Sequence, residues 1–143
     1  MFGPGFIYTA VHLVSTEVVS NTMKNIHEVI NGINENDVPH IIELLEKLDL
    51  KKKIEITESL FKENKNVKND TLKIALNNLH EITIKIKKEL EEINYDIEYS
   101  KTLYFQSFRT MPYVEKLDKL KNHNDLLDNR LDLTIKLLSS NKN

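Results

Sequence analysis

Residues 72–104 read LKIALNNLHEITIKIKKELEEINYDIEYSKTLY. Leu72, Leu76, Leu79, Thr83, Ile86, Leu90, Ile93, Ile97, Ser100 and Tyr104 are spaced alternately four and three apart. In a helix that spacing puts them in one seam along one side. No Pro or Gly interrupts the stretch. As a single helix it would be roughly 50 Å long at about 1.5 Å per residue. A seam of that length needs partners along most of it, and the remaining segments have the character of those partners.

Upstream, Gly3-Pro4-Gly5 stops any helix from starting earlier and leaves residues 1–5 as a flexible leader. Ile7, Val11, Val14, Val18, Thr22, Ile26 and Val29 then give near-regular helical spacing, widened by Ala10, Val19, Met23 and Ile30. Many of these side chains are β-branched, so burial rather than local propensity must hold this first helix. Asn31-Gly32 is its expected end, with Gly in the left-handed position. Asn34 to Asp37 reads as a turn. Asp37 is the expected N-cap of a second helix, with Pro39 in its first turn. Val38, Ile41, Leu45 and Leu48 form its seam, but the same phase continued would bury Lys52, Glu55 and Ser59. The apolar positions shift instead to Leu50, Ile54, Thr57 and Phe61. That shift predicts a kink or short break at Asp49, with the aspartate recapping the helix.

Asn64 to Asp70 is a polar loop whose Asn69 or Asp70 caps the long third helix. Thr110-Met111-Pro112 separates it from a last helix with the seam Tyr113, Leu117, Leu120, Asn124, Leu127, Leu131, Thr134 and Leu138. Residues 139–143 should fray. The expected fold is all-α. It is one domain over residues 1–143, an up-and-down antiparallel four-helix bundle with a kinked second helix and a long third helix. The totals agree: 143 residues suit a single domain, 40% hydrophobic and 29% charged is a globular composition, and 3 Gly with 3 Pro are too few for a turn-rich β fold.

Chemistry is hard to find. The chain has no Cys, which removes disulfides, zinc–thiolate sites and thiol catalysis together. Di-metal bundles need inward Glu-x-x-His pairs, and no His is preceded by Glu at that spacing. No nucleophile elbow or glycine-rich phosphate loop is present. No enzyme activity, cofactor or metal is therefore expected. The net charge is -2 and Arg109 and Arg130 are the only arginines, so nucleic acid is not an expected partner. Abundant Lys, Asn and Ile suggests AT-rich coding, which suits large DNA viruses and protists alike. The start lacks the basic region of a signal peptide and is short for a spanning helix. The expected location is intracellular and cytoplasmic, not secreted.

Two stretches invite a functional reading. Tyr95, Tyr99, Tyr104, Phe105, Phe108 and Tyr113 gather around Arg109. Tyr99, Tyr104, Phe105, Phe108, Arg109 and Tyr113 form a candidate interaction patch, since aromatics and Arg are the enriched anchors of protein interfaces. The structural alternative is a plug closing one end of the bundle. The uncharged leading helix, with Phe6, Ile7, Val11, Val14 and Val18, is a candidate membrane or interface helix. Its structural alternative is bundle core. Asn124, Thr134 and Thr83 could form a buried polar layer, or simply fix the register of the bundle. The short runs Lys51-Lys52-Lys53 and Lys85-Lys87-Lys88 read either as solvated faces or as a phospholipid headgroup site.

Phe6 to Val19, Tyr99 to Arg109 (with Tyr104-Phe105-Gln106-Ser107-Phe108-Arg109) and Leu126-Leu127-Asp128-Asn129-Arg130-Leu131 carry a resemblance in helix order and hydrophobicity. The plan resembles the four-helix N-terminal domains of HeLo-type cell-death proteins and of mixed-lineage-kinase-like proteins. That resemblance implies a bundle acting as an oligomerising, membrane-permeabilising or adaptor module. The expectation from the residues is a non-catalytic protein–protein interaction or self-assembly module, its partner a protein or a second copy. The alternative is a membrane-acting bundle that uses its first helix.

Overall fold

The structure, a computed structural model, describes residues 10–102 and 113–141. Five helices follow in order: α1 (Thr16–Glu35), α2 (Pro39–Leu48), α3 (Leu50–Glu63), α4 (Asp70–Lys101) and α5 (Val114–Asn141). No strand occurs among the described residues. α2 and α3 are the two halves of the kinked second helix, so the chain is an all-α four-helix bundle.

α4 is the spine. Its 32 residues span about 48 Å. All its seam positions from Leu72 to Ser100 are buried; Tyr104 lies outside the described residues. Asn69 caps it, its side chain accepting from the Leu72 amide at 3.1 Å. α5 packs along one flank of α4 and α1 along another, and α3 closes on both α1 and α4. Polar contacts fix the directions. Val14–Asn77, Thr22–His80 and Asn36–Asn94 set α1 parallel to α4. Arg130–Asn78 and Lys116–Asp96 set α5 antiparallel to it. His40–Tyr113 and Lys53–Asn124 run α2–α3 alongside α5 in the same sense. Direction therefore alternates along the chain, up and down.

The break at Asp49 occurs as the phase shift requires. Asp49 adopts the left-handed conformation (φ 54°), and Leu50, Ile54, Thr57 and Phe61 are all buried beyond it. Its side chain makes no capping hydrogen bond, so the expected recapping does not occur. The conformational change alone turns the next helix.

Three expected boundaries are corrected. α1 does not begin soon after Gly5 but at Thr16, where the Ser15 side chain accepts from the Val18 amide and residues 10–15 are non-helical. The face that is buried is Val19, Thr22, Met23, Ile26, Ile30 and Ile33, whereas Val18 is 47% exposed. α1 also runs through Asn31-Gly32. Ile33, fully buried, extends the apolar stripe by another turn, and the gain in burial outweighs the low helix propensity of Gly. A Cβ on Gly32 would sit 3.4 Å from the Asn94 amide, so the helix passes close to α4 there. Asn36 then closes α1, and Asp37 takes the left-handed position (φ 55°) expected of Gly32. The N-cap of α2 is Val38, held extended by the following Pro39, not Asp37.

Candidate interaction surface

The last two turns of α4 point two tyrosines outward. Tyr95 and Tyr99, one turn apart, stack with ring centroids 6.3 Å apart and planes 8° from parallel. They are 67% and 53% exposed. The same turns are pinned from behind. Asp96 accepts from Lys116 of α5 at 2.6 Å, a contact that raises the lysine's pKa. Lys101 donates to both the carbonyl and the side-chain oxygen of Asn36 at 2.9 Å, and Asn36 donates to Asn94. The rings thus stand on a backbone held from two neighbouring helices.

The other candidate residues divide. Tyr113 is not part of the exposed surface. It is 2% exposed, its ring lies 5.9 Å from that of His40, and its hydroxyl is 3.4 Å from His40 Nε2. Burial raises its phenol pKa. Tyr113 therefore has the structural role weighed against the patch, and the reason is its place as first knob of the α5 seam. Tyr104, Phe105, Phe108 and Arg109 lie outside the described residues, as do Phe6 and Ile7. Val11 and Val14 are half-buried in the non-helical segment before α1, so among the described residues the candidate leading helix retains only Val18.

The polar layer forms differently from the expected one. Thr83 and Thr134 each donate back to their own helix, to the His80 and Arg130 carbonyls. Asn124, only 5% exposed, accepts instead from Lys53 at 2.8 Å, and the same ammonium lies 2.8 Å from Asp128. Lys51-Lys52-Lys53 is accordingly not one basic patch: Lys53 turns inward while Lys51 and Lys52 face solvent. In the second run, Lys85 pairs with Glu81 and Lys87 with Glu91 along the helix surface, as on a solvated face.

Two histidines expected at the solvent or at an edge are withdrawn from it: His80 is buried and His123, at the flank of the α5 seam, is half-buried. His80 packs edge-on to Phe61, and its Nε2 lies 3.1 Å from the Thr22 hydroxyl. That hydroxyl spends its one proton on the Val18 carbonyl, which makes the imidazole nitrogen the donor. Burial lowers the His80 pKa. His123 is also lowered by burial, against the pull of the Glu89 carboxylate. Glu89 Oε2 and His123 Nδ1 are both buried without a hydrogen-bond partner. Only long-range packing reveals such positions, because neither residue stands on the regular seam. No cluster of three or more metal-ligating side chains occurs among the described residues.

The chain matches no family model, no curated protein and no solved structure. Its surface has to be interpreted from its own geometry.

Proposed function

We propose that this chain is a non-catalytic interaction module that binds a protein partner, or a second copy of itself, through the outward face of α4 around Tyr95 and Tyr99. The observation that carries this is the exposed, parallel tyrosine stack on a helix fixed from behind. Tyrosines offer large amphipathic area at low entropic cost and are frequent anchors of protein contacts. Among the described residues, the other exposed apolar side chains, Val18, Ile56, Ile74, Ile84 and Leu133 among them, are distributed over four helices. Single exposed apolar residues are ordinary on protein surfaces. The resemblance in helix order to HeLo-type domains is consistent with use of the bundle as an oligomerising or adaptor module.

A photo-cross-linking residue at Tyr95 tests this in the native source, with Lys62 on α3 as an exposed control. A discrete adduct from position 95 and none from position 62 is expected, and its mass separates a second copy from a different partner. Absence of any adduct at position 95 would overturn the proposal. The alternative use of the leading segment in a membrane has less support, because residues 10–15 would first have to leave a non-helical, docked conformation.

A further inference from the structure

The spacing of Val11, Val14 and Val18 is helical, yet residues 10–15 are not. One side chain accounts for the difference. Asn77 on α4 donates to the His12 carbonyl at 2.8 Å and accepts from the Val14 amide at 2.9 Å. An asparagine amide that satisfies both groups of a short non-helical stretch does what a neighbouring backbone would do. Leu13 and Val14 pack against the core beneath it.

We propose that residues 10–15 are a latch. Asn77 holds them non-helical against α4, and their release lets them coil onto the N-terminus of α1 as an added turn and a half.

The hydrogen bonds balance between the two states, while the packing of Leu13 and Val14 favours the docked one. Ser15 stands at φ -65° and ψ 146°. Its φ is already helical, so the junction reaches the helical basin mainly by turning ψ to about -42°. In the docked state the Val18 amide is satisfied by the Ser15 side chain at 3.2 Å. In the coiled state it would bond the Val14 carbonyl, and the Val14 amide would bond the Ala10 carbonyl, as every i to i−4 pair in a helix does. Asn77, half-buried at the surface, would return its amide to water. No backbone donor is stranded by the change. The coiled state places Val14 and Val11 one and two turns before Val18, which is already 47% exposed. The result is an apolar ridge where the docked state presents a covered edge.

Two substitutions separate the latch from the coiling. Asn77→Ala removes both clamp bonds. Thr16→Pro sits at the first helical position, where proline fits α1 as it stands, but proline there cannot lie inside a longer helix. In Asn77→Ala, NMR should show the Val14 amide exchanging at least tenfold faster, with Cα shifts of residues 11–15 moving to helical values. The amides of Ile86 and Leu90 should remain slow, which reports an intact bundle. In Asn77→Ala/Thr16→Pro the Val14 amide should stay fast while the helical shifts disappear. Unchanged Val14 protection in Asn77→Ala would overturn the latch. Fast exchange without helical shifts, or helical shifts that survive Thr16→Pro, would overturn the coiling. If the alanine variant does not fold, Asn77→Leu, which is close to asparagine in shape and has neither the acceptor nor the donor, carries the same comparison.

Discussion

Replacing Lys53 by methionine removes the polar contacts that this lysine makes from α3 to α5. Lys53 Nζ lies 2.8 Å from Asn124 Oδ1 and 2.8 Å from Asp128 Oδ1. Methionine keeps most of the lysine's apolar stem, so little packing is lost. The two polar contacts differ in weight. The Asp128 side chain is 48% exposed, so its ion pair is screened and contributes at most about 1 kcal/mol. Asn124 is 5% exposed, and stripping its oxygen of a partner costs about 1–3 kcal/mol. Lys53→Met should therefore destabilise the bundle by about 1.5–3 kcal/mol, read as a lowered urea midpoint at unchanged slope. The partner substitution should behave differently. Asn124→Leu leaves the lysine, 19% exposed at its side chain, with Asp128 and water, and should cost less than about 1 kcal/mol. Lys53→Met/Asn124→Leu should recover at least half of the Lys53→Met loss, since replacing both partners of a buried bond by apolar groups is often nearly neutral. A Lys53→Met cost below about 0.5 kcal/mol, or a double variant no better than Lys53→Met alone, would refute the claim that Asn124 depends on this lysine.

Three further outcomes are expected. Asp49→Gly should stabilise the chain by about 0.5 kcal/mol in urea melts and Asp49→Ala should destabilise it by about 1 kcal/mol, because position 49 is left-handed and its side chain caps nothing. Asn69→Ala should cost about 1 kcal/mol by removing the cap of α4, measured the same way. Acid should weaken the bundle through His80 and His123. Burial holds the His80 and His123 pKa values below the ordinary range, so the unfolded chain takes up protons before the folded one. Their contribution is complete above about pH 6.5 and is lost as pH falls through the lower folded values. Thermal melts across that window should show a fall that His80→Gln/His123→Gln reduces.

Most of the fold was legible because apolar periodicity encodes burial directly. The α4 and α5 seams and the phase shift that turns α2 into α3 at Asp49 all follow from which positions must avoid water. The misread boundaries share one physical origin. A glycine at position 32 is weak evidence for a helix end when Ile33 beyond it has a core to enter. Likewise, valine spacing at 11, 14 and 18 is weak evidence for a helix start when Asn77, 63 residues from Val14, offers the backbone another partner. The candidate surface was legible only in part. Tyr99 faces solvent as a patch residue should, but Tyr113 has nearly the same character in sequence and differs because its spacing to Leu117 and Leu120 places it in the core. The inward turn of Lys53 was hidden inside a run of three lysines, where composition suggests a solvated face.

Backbone NMR of residues 70–101 tests the architecture most directly. Uninterrupted helical Cα shifts are expected from Asp70 to Lys101, with the amides of Leu79, Ile86, Leu90 and Ile93 among the slowest to exchange in the chain. A non-helical break within that span, or rapid exchange at Ile86 and Leu90, would contradict a bundle assembled on one continuous buried spine.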